Sequence, residues 1–116
     1  MKYHHCGIPV ADLRPGMVRY PVWITDHQDN PFGLQFMHYG AGCAVPALVQ
    51  ERPHLAFEVE DLDLTLEGQA VLIPPNSPSE GVRVAFIEQQ GEPLELLEFR
   101  HLDDPRRARI CDPVQA

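Results

Sequence analysis

The chain is 116 residues long, 44% hydrophobic, and carries a formal net charge of -8 at pH 7. That length supports a single domain around one modest core. The acidic balance repels phosphate backbones and anionic membrane surfaces, so neither nucleic acid nor membrane is an expected partner, and no apolar run nears the roughly 20 residues that span a bilayer.

Period-two alternation governs most of the chain. "YHHCGIPV" (3–10) predicts a first strand, and the residues around it lack the apolar stretch of a signal peptide. "RYPVWITDH" (19–27) predicts a second strand, at a sheet edge because of Pro21. "DNP" (29–31) is a turn, and "FGLQFMHY" (32–39) is a third strand. From 40 to 53, Gly40, Gly42, Pro46 and Pro53 predict a connector without regular structure. "HLAFEVE" (54–60) is a strand, and "DLDLTLEG" (61–68) is the helix candidate. Asp61 can cap that helix, Leu62 and Leu66 lie four apart, and Gly68 can end it. "AVLIPP" (70–75) is a strand, and "VRVAFIEQ" (82–89) with "EPLELLEFR" (92–100) forms a hairpin across Gln90-Gly91. The tail at 103–116 is charged and aperiodic, and is expected to be loosely held. The three cysteines, Cys6, Cys43 and Cys111, are an odd, scattered set, which predicts a reducing, cytoplasmic setting.

The chain also repeats itself. Aligning "HCGIPVADL" (5–13) with "HLAFEVEDL" (54–62) sets His5 against His54, Gly7 against Ala56 and Asp12-Leu13 against Asp61-Leu62. "LQFMHY" (34–39) aligns with "LELLEF" (94–99), setting Gln35 against Glu95. Each half thus opens on a histidine and closes on Gln or Glu. The first half is shorter where the second has its helix, because "ADLRPGMV" is broken by Pro15 and Gly16. The expected domain is α+β and spans 1–102, with a first module at 1–42 and a second at 53–100. Successive strand residues face opposite sides. Cys6, Ile8 and Val10 therefore form one apolar face, with His5 and Gly7 opposite. In both halves the histidine has a small residue two positions on, which suits a strand lining a cavity that a ligand or metal must approach closely.

With these residues assembled, the chain resembles the vicinal oxygen chelate superfamily, which includes glyoxalase I, methylmalonyl-CoA epimerase, extradiol dioxygenases and the fosfomycin- and bleomycin-resistance proteins. "HHCGIPVADL", "HLAFEVEDLD" and "GVRVAFIEQQGEPLELLEF" carry the likeness. It implies paired βαβββ modules forming a curled mixed β-sheet cup, here with a first module that lacks most of its helix. It also implies metal ligands from the first and last strand of each module, namely His5, Gln35, His54 and Glu95, a set similar to the epimerase branch. Such a nitrogen and oxygen set without thiolate suits a divalent Zn, Mn, Co, Ni or Fe ion. The activity so implied is that of a metal-dependent lyase or isomerase acting on a small oxygen-rich metabolite through a metal-stabilised enediolate. The alternative is a non-catalytic small-molecule-binding protein of the resistance type.

Glu95 and Glu58 are the candidate catalytic bases. Arg52, Trp23 and Met37 are the candidate substrate contacts. Arg83 and Arg100 offer an anionic substrate tail the same charge as Arg52, and the sequence does not choose between them. His38 takes the place of Gln35 if the register of 34–39 slips by one. A homodimer is expected, because the face of Cys6, Ile8 and Val10 has no helix to cover it. In the second half, Leu62, Leu64 and Leu66 are expected to provide that cover.

Overall fold

The computed structural model describes residues 1–20 and 22–100, so the expected tail at 103–116 lies outside the described residues. Eight strands follow in chain order: β1 (Lys2–Pro9), β2 (Val18–Tyr20), β3 (Val22–Ile24), β4 (Leu34–His38), β5 (His54–Glu58), β6 (Ala70–Asn76), β7 (Val82–Gln89) and β8 (Glu92–Phe99). Two short helices, α1 (Ala47–Glu51) and α2 (Leu62–Leu66), interrupt them, and His27–Asp29 forms one 3-10 turn. No helix among the described residues is long and apolar enough to cross a membrane.

The architecture is α+β, with all eight strands in one open mixed sheet of order β2-β3-β4-β1-β5-β8-β7-β6. β1 runs parallel to β4, β5 runs parallel to β8, and the antiparallel β1–β5 pair joins the two halves at the centre. The sheet is curled. β3 and β6 are six positions apart in the order, about 29 Å in a flat sheet at ~4.8 Å per strand. Yet Ile24 of β3 and Ile73 of β6 line the same cavity.

Two elements differ from the sequence expectation. Residues 19–27 do not form one strand: β2 and β3 pair antiparallel, with Val18 opposite Ile24. Proline has a fixed φ and no N–H, so "YPV" favours a reversal over a continuous ladder. Three strands therefore follow β1 in the first half, where the alternation marked only two, and no helix lies between β1 and β2. The connector at 40–53 contains α1, which starts directly after Pro46. Proline is tolerated at a helix start because the N–H it lacks has no partner there.

α2 follows the expected chemistry closely. The Asp61 carboxylate accepts from the Leu64 N–H at 3.1 Å. Just past the helix, Gly68 adopts φ +75°, a left-handed conformation that glycine reaches without a Cβ clash. Leu62 and Leu66 pack on Phe57, Ala85, Ile87, Leu94 and Leu96. Leu64 sits two residues from each, on the opposite side of the helix, and is 63% exposed. The expected three-leucine cover is therefore a two-leucine cover.

Candidate metal centre

Sheet register assembles the site. Across the central strands, Gln35, Gly7 and His54 stand side by side on β4, β1 and β5. One step along, His5, Ala56 and Glu95 stand side by side on β1, β5 and β8. Each row thus has two functional side chains flanking a small residue. Gly7 leaves the space that the His54 ring, beside it in the same row, occupies. His5, Gln35, His54 and Glu95 are all buried, none more than 6% exposed.

His5 Nε2 lies 3.1 Å from Glu95 Oε1, and His54 Nε2 lies 3.2 Å from the same oxygen. The three donor atoms fall within 4.8 Å of one another. An ion bound through ~2.1 Å bonds needs its donors about 3.0–3.4 Å apart in octahedral or tetrahedral geometry, and the two measured separations fall in that range. His5 Nε2 is buried with the Glu95 carboxylate oxygen as its near neighbour but in no well-aligned hydrogen bond, which leaves its lone pair open to a cation. The residues present therefore fit a divalent ion.

Burial by itself pushes the Glu95 carboxyl up. Hydrogen bonding and charge from His5 and His54 more than offset that and hold it well below the usual glutamate range. Gln35 donates its amide N–H to the Thr25 carbonyl at 3.1 Å, which leaves the amide oxygen as the group available for ligation. Gln35 and Glu95 both face a cavity of about 400 Å³.

The remaining candidates scatter. Met37 lines this cavity with Gln35, one alternation along β4. His38 points to the other side, with Nδ1 3.3 Å from the Val10 carbonyl, because β4 keeps its register. Trp23 alternates with Val22 and Ile24; those two line the cavity and Trp23 does not. Arg52 is exposed and ion-pairs with Glu92 on the surface. Glu58 sits 3.9 Å from Lys2 Nζ and borders a separate depression beside Glu60 and Asp61, away from Glu95.

One neighbour of the site is not apparent from strand alternation. His4 Nδ1 lies 2.7 Å from His5 Nδ1, so one ring donates to the other. Parity places adjacent strand residues on opposite faces, but the β1–β5 register shifts between Tyr3 and His5, which inserts His4 as an extra residue. Bulges of this kind re-aim side chains. The His4 ring also stacks on buried His27 at 4.4 Å between centroids. Fixing the far nitrogen of a ligating histidine sets its ring orientation and tautomer. His4→Phe keeps a ring for the stack and removes the nitrogen. It is expected to weaken metal binding about 10–100-fold, measured by competition with a chromogenic chelator. Unchanged affinity would assign His4 to packing alone.

Comparison with known proteins adds the fold. No family model matches the chain, and no curated protein matches it. Among solved structures it is similar to the crystal structure of hypothetical protein BH1468 from Bacillus halodurans C-125, with a TM-score of 0.64 and 18% identity over 89% of this chain and 97% of that one. At that identity the likeness speaks for the fold alone.

Proposed function

We propose that the protein is a metal-dependent enzyme of the vicinal oxygen chelate type, a lyase or isomerase, built from two related four-stranded modules. The convergence of His5, His54 and Glu95 beside a largely apolar cavity carries this reading. The mirrored strand order supports the paired modules: β1 with β4 and β5 with β8 are parallel pairs flanking the central β1–β5 junction. In this reading His5, His54 and Glu95 hold the ion, and Gln35 adds its amide oxygen. A divalent ion held there supplies Lewis-acid polarisation of two adjacent substrate oxygens. Apolar side chains make up most of the wall around the reacting end of the substrate.

The test is metal analysis of the purified protein, followed by chelation and add-back. About one ion per chain, with a melting temperature that rises on restoring it, is the expected result. A protein that neither retains nor rebinds a divalent ion refutes the reading. Non-catalytic ligand binding is the second reading, favoured by the position of Glu58 away from the cavity. Metal-dependent solvent-deuterium incorporation into a panel of hydroxycarbonyl compounds separates the two, and only an enzyme of this type gives it.

The same proposal includes a homodimer. The connector does not cover the outer face of β1: Val45 and Val49 line the cavity instead. On that outer face Cys6 is opposite Leu55, which is 44% exposed. A second chain laid on this face removes the apolar surface from water, at ~25 cal/mol per Å². Sedimentation at micromolar concentration is expected to give twice the 13.1 kDa chain mass. A single species at the chain mass removes the dimer from the proposal.

A further inference from the structure

Resting on the metal reading, we propose that the cavity takes an uncharged, largely apolar small molecule that directs a pair of adjacent oxygens toward Glu95 and Gln35. The argument is the distribution of polarity over the cavity wall. Ile24, Met37, Val49, Ile73, Val84 and Phe86 reach it from four strands and a helix. Asn76 also lines it, but its amide nitrogen is bonded to the Pro74 carbonyl at 3.0 Å. The Tyr39 hydroxyl donates to Met37 Sδ at 3.5 Å, so apart from the Asn76 amide oxygen the unengaged polarity of the wall lies at Glu95 and Gln35.

No lysine or arginine among the described residues lines the cavity. Several of these cations are engaged elsewhere. Arg83 pairs with Asp63 and Glu98, Arg52 with Glu92, and Arg14 lies over the Phe36 ring. Away from the ion, the body of a substrate meets no lysine or arginine along the wall, so a carboxylate or phosphate ester carried there would have no side-chain counter-charge. Burying such a charge unpaired is strongly unfavourable. The volume of about 400 Å³ lies at the small end of the ~300–1,000 Å³ typical of ligand sites, so the occupant is compact.

On this proposal the substrate differs in one respect from the oxygen-rich metabolite expected from the sequence. Its oxygens are at one end and its body is hydrocarbon.

The test is calorimetric titration of the full chain, zinc-loaded and zinc-stripped, with three probes. tert-Butylbenzohydroxamic acid has the adjacent oxygens and an apolar body. Carboxybenzohydroxamic acid has the same oxygens and an anionic body. tert-Butylbenzamide has the apolar body without the oxygen pair. The tert-butyl hydroxamic acid is expected to bind zinc-loaded protein at least about tenfold tighter than its carboxy counterpart. Stripping zinc should bring it down to the level of the benzamide, with the preference over the carboxy probe retained. Met37→Arg, which places a cation on the wall, should invert the preference. Equal or tighter binding of the carboxy probe to the wild-type protein overturns the proposal, as does failure of all three probes to bind. If the apolar preference persists while zinc has no effect on any probe, the cavity assignment stands and the metal reading fails.

Discussion

Gly7→Ala is expected to dismantle the site while changing a single hydrogen into a methyl group. A Cβ at this position would fall on Cε1 of the His54 ring, within 2.6 Å of its Nε2 and 2.8 Å of its Nδ1. The ring cannot swing away, because it is 2% exposed and packs edge-on against Phe86 at 4.8 Å between centroids. Backbone conformation is not the constraint, since Gly7 is absent from the positive-φ glycines. The penalty is overpacking, about 1–3 kcal/mol, together with loss of the His54 nitrogen from the donor set. Chemical denaturation and metal titration read the two effects separately. The decisive variant is the double one, Gly7→Ala with His54→Ala. Removing the ring frees the space for the new methyl, so stability should recover part of the loss while metal binding stays absent. Costs that simply add would show that the two positions do not share one space.

A second large effect follows from stranding Glu95. His5→Ala with His54→Ala is expected to abolish stoichiometric metal binding, far beyond the ~100-fold attached to outer-shell partners. It also leaves a carboxylate that is 6% exposed without either imidazole. Breaking a buried pair from one side destabilises by about 3–5 kcal/mol. Adding Glu95→Leu removes the uncompensated charge and is expected to restore most of that stability, because an apolar replacement of a buried polar group is often neutral or better. Thermal melts of the double and triple variants check this. A double variant as stable as the wild type would mean that Glu95 reaches solvent or finds another partner.

The site was legible in the sequence because it is written twice. His5 and His54, Gly7 and Ala56, and Gln35 and Glu95 align at equivalent positions, and alternation along β1, β5 and β8 assigns their faces. What alternation could not supply was any feature that breaks it. The bulge that brings His4 to His5 inserts one residue, and parity counting passes over it. β2 and β3 are three residues each, too short to display a period, so they merged into one predicted strand. α1 spans only five residues, barely more than one turn, and its Pro46 start reads equally well as a loop. The cavity wall was out of reach for another reason. Ile24 and Ile73 meet through sheet curl, which depends on twist accumulated over several strands and has no local signature. Arg52 and Trp23 were candidates by residue type alone; Arg52 closes α1 and pairs with Glu92 at the surface, and strand parity turns Trp23 away from the cavity.

The open sheet also bears on how copies of this chain can meet. An unclosed sheet ends in two strands with unsatisfied backbone groups, and such margins invite a further strand from another molecule. Here both margins are poor templates. β2 offers three residues, and β6 contains Pro74 and Pro75, which have no N–H to donate, and breaks register twice along β7. Growth by strand addition, the route toward fibrils, is obstructed at either end. Among the described residues the flat of the sheet is the better meeting place for a second copy, and on the proposed dimer assembly should stop at a closed pair.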